Sequence, residues 1–165
     1  MKPKLKTIIF LILIIIECIT IFCFSHQEGD DSSNESGRIV EIISNIIPFI
    51  RNMQEPDKTI FKEEVLSLIV RKTAHFSIYT ILGMLTINFA LSIDDKKITK
   101  NVIMALSFCC IYAMTDEIHQ LFIQGRSGKI TDVLIDSIGA FTGILFVIGI
   151  IKIYRKLKHI QGENT

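Results

Sequence analysis

Apolar residues fall into four long runs separated by polar and charged stretches. The first, 5–24, is rich in Ile and follows Lys2, Lys4 and Lys6; the others cover 73–93, 101–123 and 131–151. Each run has roughly the 20 residues that an α-helix needs to cross the hydrocarbon of a bilayer. Helices satisfy their own backbone hydrogen bonds in lipid, so the pattern predicts an all-α, polytopic membrane protein with four transmembrane helices. Residues 1–165 read as a single membrane domain. No small-residue cleavage site follows the first run, so it is expected to remain as the first helix and not to leave as a signal peptide.

The loop 25–72 has a pattern of its own. Residues 27–37 are polar and are expected to be mobile. Beyond them Ile39, Val40, Ile43, Ile46, Ile47 and Ile50 recur at helical spacing, with Arg38, Glu41, Asn45 and Arg51 between them. This predicts an amphipathic helix, interrupted near Pro48. Such a helix can lie on a leaflet, pack over the bundle or cover a pocket as a lid.

Composition and charge narrow the reading. Hydrophobic residues make up 49% of the chain and charged ones 21%, with a net charge of +1. No basic stripe is present to neutralise phosphates, which excludes a nucleic-acid partner. The cations cluster in the N-tail, in the loop with Lys96, Lys97 and Lys100, and in the C-tail with Lys152, Arg155, Lys156 and Lys158. An even number of spans puts these three segments on one side, which the positive-inside rule makes cytoplasmic. The loops 25–72 and 124–130 are then extracellular, and the protein is a multi-pass component of the cell membrane. Cys18, Cys23, Cys109 and Cys110 all lie in apolar runs without ligand-like spacing to His, so neither disulfides nor a zinc finger is expected.

Polar residues enter the spans at matching depths. At 1.5 Å per residue, His75 lies roughly 27 Å above Ile93, Asp116 roughly 24 Å above Lys100 and Asp136 roughly 24 Å above Lys152. Arg71, His75 and Tyr79 share one helical stripe; Asp116 shares a face with His119 and Gln120, with Glu117 about 100° away. Asp132, Asp136, Gly139 and Gly143 form a third stripe, and the two glycines allow a neighbouring helix close. Ionisable groups facing lipid are costly, so these stripes are expected to face one another around an outward-opening polar cleft. Glu17, near mid-bilayer in the first run, has no partner assigned by the pattern.

Three chemistries suit such a cleft. His75 or His119 could act as general base with Asp116, Glu117, Asp132 or Asp136 as orienting or acidic partner. Asp116-x-x-His119 with His75 and Asp132 or Asp136 would offer a metal mixed N/O ligands, but the spacing is unspecific, and neither a metal nor another cofactor is expected. Arg71, Lys72, Tyr79, Gln120 and the Gly125-Arg126-Ser127-Gly128-Lys129 turn could hold an anionic headgroup. Against each stands a structural alternative, in which the carboxylates pair with Arg71, Lys72 and Arg126 and the Gly125 turn merely joins two helices.

The motifs Arg71-Lys72-x-Ala74-His75-Phe76-x-x-Tyr79-x-x-Leu82-Gly83, Asp116-Glu117-x-His119-Gln120-x-Phe122-x-x-Gly125-Arg126 and Asp132-x-x-x-Asp136-x-x-Gly139 occur in this order. With Phe24-Ser25-x-Gln27 and the serines beyond it, they resemble the VanZ-like family of bacterial membrane proteins over nearly the whole chain. The resemblance implies an envelope protein associated with low-level resistance to teicoplanin, a glycopeptide that carries a fatty chain and acts at the outer leaflet. A lipid-linked envelope precursor or a lipoglycopeptide is then the expected partner, beside the bilayer itself. A non-catalytic protein acting by occupancy and a small transporter, which would need oligomerisation, are the alternative readings. The soluble phosphotransbutyrylase chemistry attached to some relatives does not suit four apolar spans.

Overall fold

A computed structural model describes residues 3–27 and 29–163. The described residues form seven α-helices: α1 (Pro3–His26), α2 (Gly29–Ile46), α3 (Pro48–Arg51), α4 (Asp57–Ile60), α5 (Ser67–Ile93), α6 (Ile98–Gln120) and α7 (Ile130–Glu163). A π-helical stretch, Phe61–Leu66, joins α4 to α5. Among the described residues, four segments are long and apolar enough to cross a membrane: Lys4–His26, Asp57–Ile93, Ile98–Gln120 and Ile130–His159. Their outer faces expose large apolar side chains, among them Ile12, Ile16, Ile103, Ile111, Phe146 and Ile150. Apolar surface on that scale needs lipid to cover it.

Two contacts fix the up-and-down order. Thr7 and Ser92 hydroxyls meet at 2.8 Å, and Arg155 lies 3.7 Å from Asp95. The start of α1, the α5–α6 turn and the end of α7 therefore share one end of the bundle. The α6–α7 connection and the α2–α4 segment lie at the other.

Helix α5 packs against α7, α1 and α6. Its contact with α7 is a backbone-to-backbone seam. A Cβ on Gly83 would come within 2.2 Å of the Ala140 carbonyl oxygen, one on Gly139 within 2.5 Å of the Phe76 oxygen, and one on Gly143 within 2.1 Å of the Thr80 oxygen. Such a crossing gains van der Waals contact where lipid removes the hydrophobic drive for helices to associate. Tyr79, Leu82, Cys109, Ala113 and Ala140 fill the centre, closed on the α1 side by Ile14 and Ile21.

Several boundaries differ from the sequence reading, and α7 runs on to Glu163, well past the expected end of the fourth span at residue 151. The second spanning segment begins at Asp57, not at residue 73. Lys62, Glu63 and Glu64 break the apolar run there, yet Leu66 buries with Val40 and Ile50, with Phe61, Ile43 and Val70 alongside, so tertiary packing continues the helix past the hydrocarbon edge. Helix α6 ends at Gln120, not at residue 123, because Leu121, Phe122 and Ile123 donate to carbonyls three residues back in a tighter turn. The polar start of the first loop, expected to be mobile, is helical from Gly29. Packing of Val40 and Ile43 supplies the costly nucleus, and the helix extends from it at little further cost. The break near Pro48 is where the pattern put it: Ile47 is extended, and Pro48 opens α3.

Candidate functional site

The glycine seam brings α5 and α7 together one turn from His75 and Asp136. His75 Nδ1 lies 3.7 Å from Asp136 Oδ2. Asp116, from α6, completes a cluster in which one ligand-type atom from each of the three residues lies within 4.8 Å of the others. Asp136 is fully buried and Asp116 is 5% exposed. Asp116 is held from both sides: Ser25 Oγ of α1 donates to its Oδ2 at 2.9 Å, and Gln120 Nε2 of its own helix does so at 3.3 Å. Among the described residues, both carboxylate oxygens of Asp136, the Tyr79 hydroxyl and Arg71 Nε are buried without a hydrogen-bond partner. Buried polar atoms are normally satisfied, so a group of orphans at one place stands out from the rest of the bundle.

Above the cluster lies a cavity of about 100 Å³, lined by His75 and Asp136 together with Arg71, Lys72, Arg126 and Lys129. Not all of its charge is free. Lys72 forms an ion pair with Asp132. Glu117 Oε2 accepts the Lys129 backbone N–H at 2.8 Å, which ties the start of α7 to α6. Gly128 sits against the Glu117 carbonyl, where a Cβ would come within 2.3 Å, and Gly125 has a φ of 76°, a backbone state that glycine adopts without strain. The Arg126 guanidinium is anchored on the end of α1: Nε donates to the Gln27 carbonyl and Nη2 to the Phe24 carbonyl, each at 2.9 Å. Burial and then the neighbouring Arg71 charge push the Arg126 pKa below its ordinary value, with Asp116 and Glu117 acting the other way. Two guanidiniums so close invite an anion between them.

A second cavity of about 260 Å³ adjoins the first and is lined by Ile21, Phe24, Ile39, Val70 and Ile78. Arg71, His75 and Arg126 line both cavities. A polar chamber and an apolar one therefore meet across three residues.

The VanZ/LLP1 family model matches residues 9–152, from within α1 to within α7. The chain belongs to the VanZ/LLP1 family. No curated protein and no solved structure matches it.

In this VanZ/LLP1 chain, most of the site residues chosen from the sequence come together. Arg71, Lys72, His75, Glu117, Gln120, Gly125, Arg126, Asp132 and Asp136 all line the polar cavity. Asp116 joins His75 and Asp136 beneath it, and Tyr79 faces the apolar cavity. His119 lies elsewhere: its ring stacks on Phe22 at 4.7 Å and on His26 at 5.4 Å, with Nε2 3.3 Å from His26 Nδ1. Leu68 and Ile135 also line the cavity but carry no polar signal to single them out. Ser25 was read only as part of a serine-rich segment, and no local spacing could have paired it with Asp116. All four cysteines are free.

Proposed function

We infer that this VanZ/LLP1 protein binds a membrane amphiphile, placing an anionic headgroup in the polar cavity and an apolar chain in the adjoining one. The observation that carries the reading is the sharing of Arg71, His75 and Arg126 by a charged chamber and an apolar chamber. A lipid-linked envelope precursor and a lipoglycopeptide both have this two-part chemistry. The distribution of Lys and Arg supports cytoplasmic termini and a site opening at the outer leaflet, where such molecules reside. With the family resemblance, this points to lowered susceptibility to teicoplanin, whose fatty chain sets it apart from vancomycin. Arg71 and Arg126 hold the anion, and helix α2, through Ile39, roofs the apolar chamber.

The reading is tested in a susceptible Gram-positive host that expresses wild type or Arg71→Gln at matched membrane levels. Wild type is expected to raise tolerance to teicoplanin and not to vancomycin, and Arg71→Gln to lose most of that protection. Full protection by the variant, or equal protection against both antibiotics, would overturn the reading.

A further inference from the structure

We propose that His75, Asp116 and Asp136 form a site for one divalent transition-metal ion at the floor of the polar cavity. Three different helices each supply one ligand, so the bundle itself builds the site. The ligand atoms lie within 4.8 Å of one another. Around a zinc ion with bonds of 2.0–2.2 Å, neighbouring ligand atoms sit roughly 3.5 Å apart, so small side-chain rotations close the gap. Both oxygens of the fully buried Asp136 lack a hydrogen-bond partner among the described residues. A carboxylate so placed needs a proton or a cation: Lys72 is paired with Asp132, and the basic group that faces Asp136 is His75, 3.7 Å away and itself a ligand-type side chain.

The surroundings fit a metal centre. Ser25 and Gln120 fix Asp116 through Oδ2, which is the outer-shell support that ligating carboxylates usually have. One imidazole and two carboxylates make a mixed N/O set that suits Zn²⁺ or Mn²⁺ better than Ca²⁺, which takes oxygen ligands alone. Three protein ligands also leave a coordination position open toward the cavity, as catalytic sites do. If the headgroup reading holds, an anionic oxygen held by Arg71 and Arg126 would take that position, and His75 would be a ligand and not a base. The metal site itself does not depend on that reading.

The test uses the full chain in nanodiscs, stripped with a chelator and titrated with Zn²⁺ alone. Close to one equivalent should bind, and Asp136→Asn should weaken binding by at least about 100-fold, with Ser25→Ala weakening it about tenfold. His119→Phe controls for zinc held by the His26–His119 pair and should keep the tight equivalent. Loss of that equivalent in His119→Phe, or its survival in folded Asp136→Asn, would overturn the site. Should Asp136→Asn not fold, Co²⁺ added to wild type decides: d–d bands of an N/O-coordinated ion that Zn²⁺ displaces support the site, and their absence overturns it. Zinc binding without teicoplanin protection would leave the metal site standing and remove the headgroup reading, and the converse would do the reverse.

Discussion

Asp136 faces His75 across the α5–α7 interface one turn away from the point where Gly139 lies against the backbone of Phe76. The two facts are connected. Gly83, Gly139 and Gly143 set how near the two helix backbones come, and so the spacing at which the His75 and Asp136 side chains meet. The glycine seam is thus a positioning device for the buried pair as well as a packing motif.

Gly143→Ala should therefore be more harmful than its size suggests. Its Cβ would meet a backbone oxygen, which cannot rotate away, so the helices must separate. Overpacking of this kind costs about 1–3 kcal/mol. Thermal unfolding in detergent should show the loss, whereas Gly149→Ala, which has open space around it, should be neutral.

Glu117 lines the cavity, but its bond to the Lys129 N–H gives it a task in the α6–α7 connection. Glu117→Gln retains an acceptor for that N–H and should preserve stability. Glu117→Ala should lose about 1 kcal/mol, the net worth of one hydrogen bond, since the Lys129 N–H is only part-buried. Limited proteolysis within 121–129 should be faster in the Ala variant alone.

The Lys72–Asp132 ion pair is about one-third exposed on both sides. A pair of that kind contributes only about 0.2–1 kcal/mol. Lys72→Asp and Asp132→Lys should each destabilise, and the double exchange should recover most of the loss. A double-mutant cycle on unfolding free energies checks this, and strict additivity would count against the pair.

Orientation can be read by labelling. In a variant whose four cysteines are replaced by Ala, Ser127→Cys should react in intact cells with a membrane-impermeant maleimide. Lys156→Cys should react only after lysis. The reverse pattern would place the cavity on the cytoplasmic side.

The sequence made the spanning helices legible because lipid demands uninterrupted apolar length, and His75, Asp116 and Asp136, which the depth argument put at one level, lie within reach of one another. Gly139 and Gly143 were readable because only small residues four apart permit such a seam. The start of the second span was not readable, since Glu63 and Glu64 mask a helix that packing with Val40 and Ile50 continues. His119 shares a side of α6 with Asp116 and Gln120 by spacing alone. An aromatic stack with Phe22 and His26, on a helix about ninety residues away, decides where its ring goes. Ser25 was hidden for the same reason, because its partner is distant in sequence.

That distance has a consequence for biosynthesis. Ser25 waits 91 residues for Asp116, Phe24 waits 102 for Arg126, and Lys72 waits 60 for Asp132. Helix α1 enters the membrane first, yet the groups at its end have no partner until α6 and then the connection beyond it leave the ribosome. Until α7 inserts, Asp116 and His75 stand on a three-helix intermediate with no Asp136 opposite them. Ionisable groups stranded in that way disfavour stable insertion. A chain that stops short of α7 is therefore expected to be held in the membrane less firmly than the full bundle.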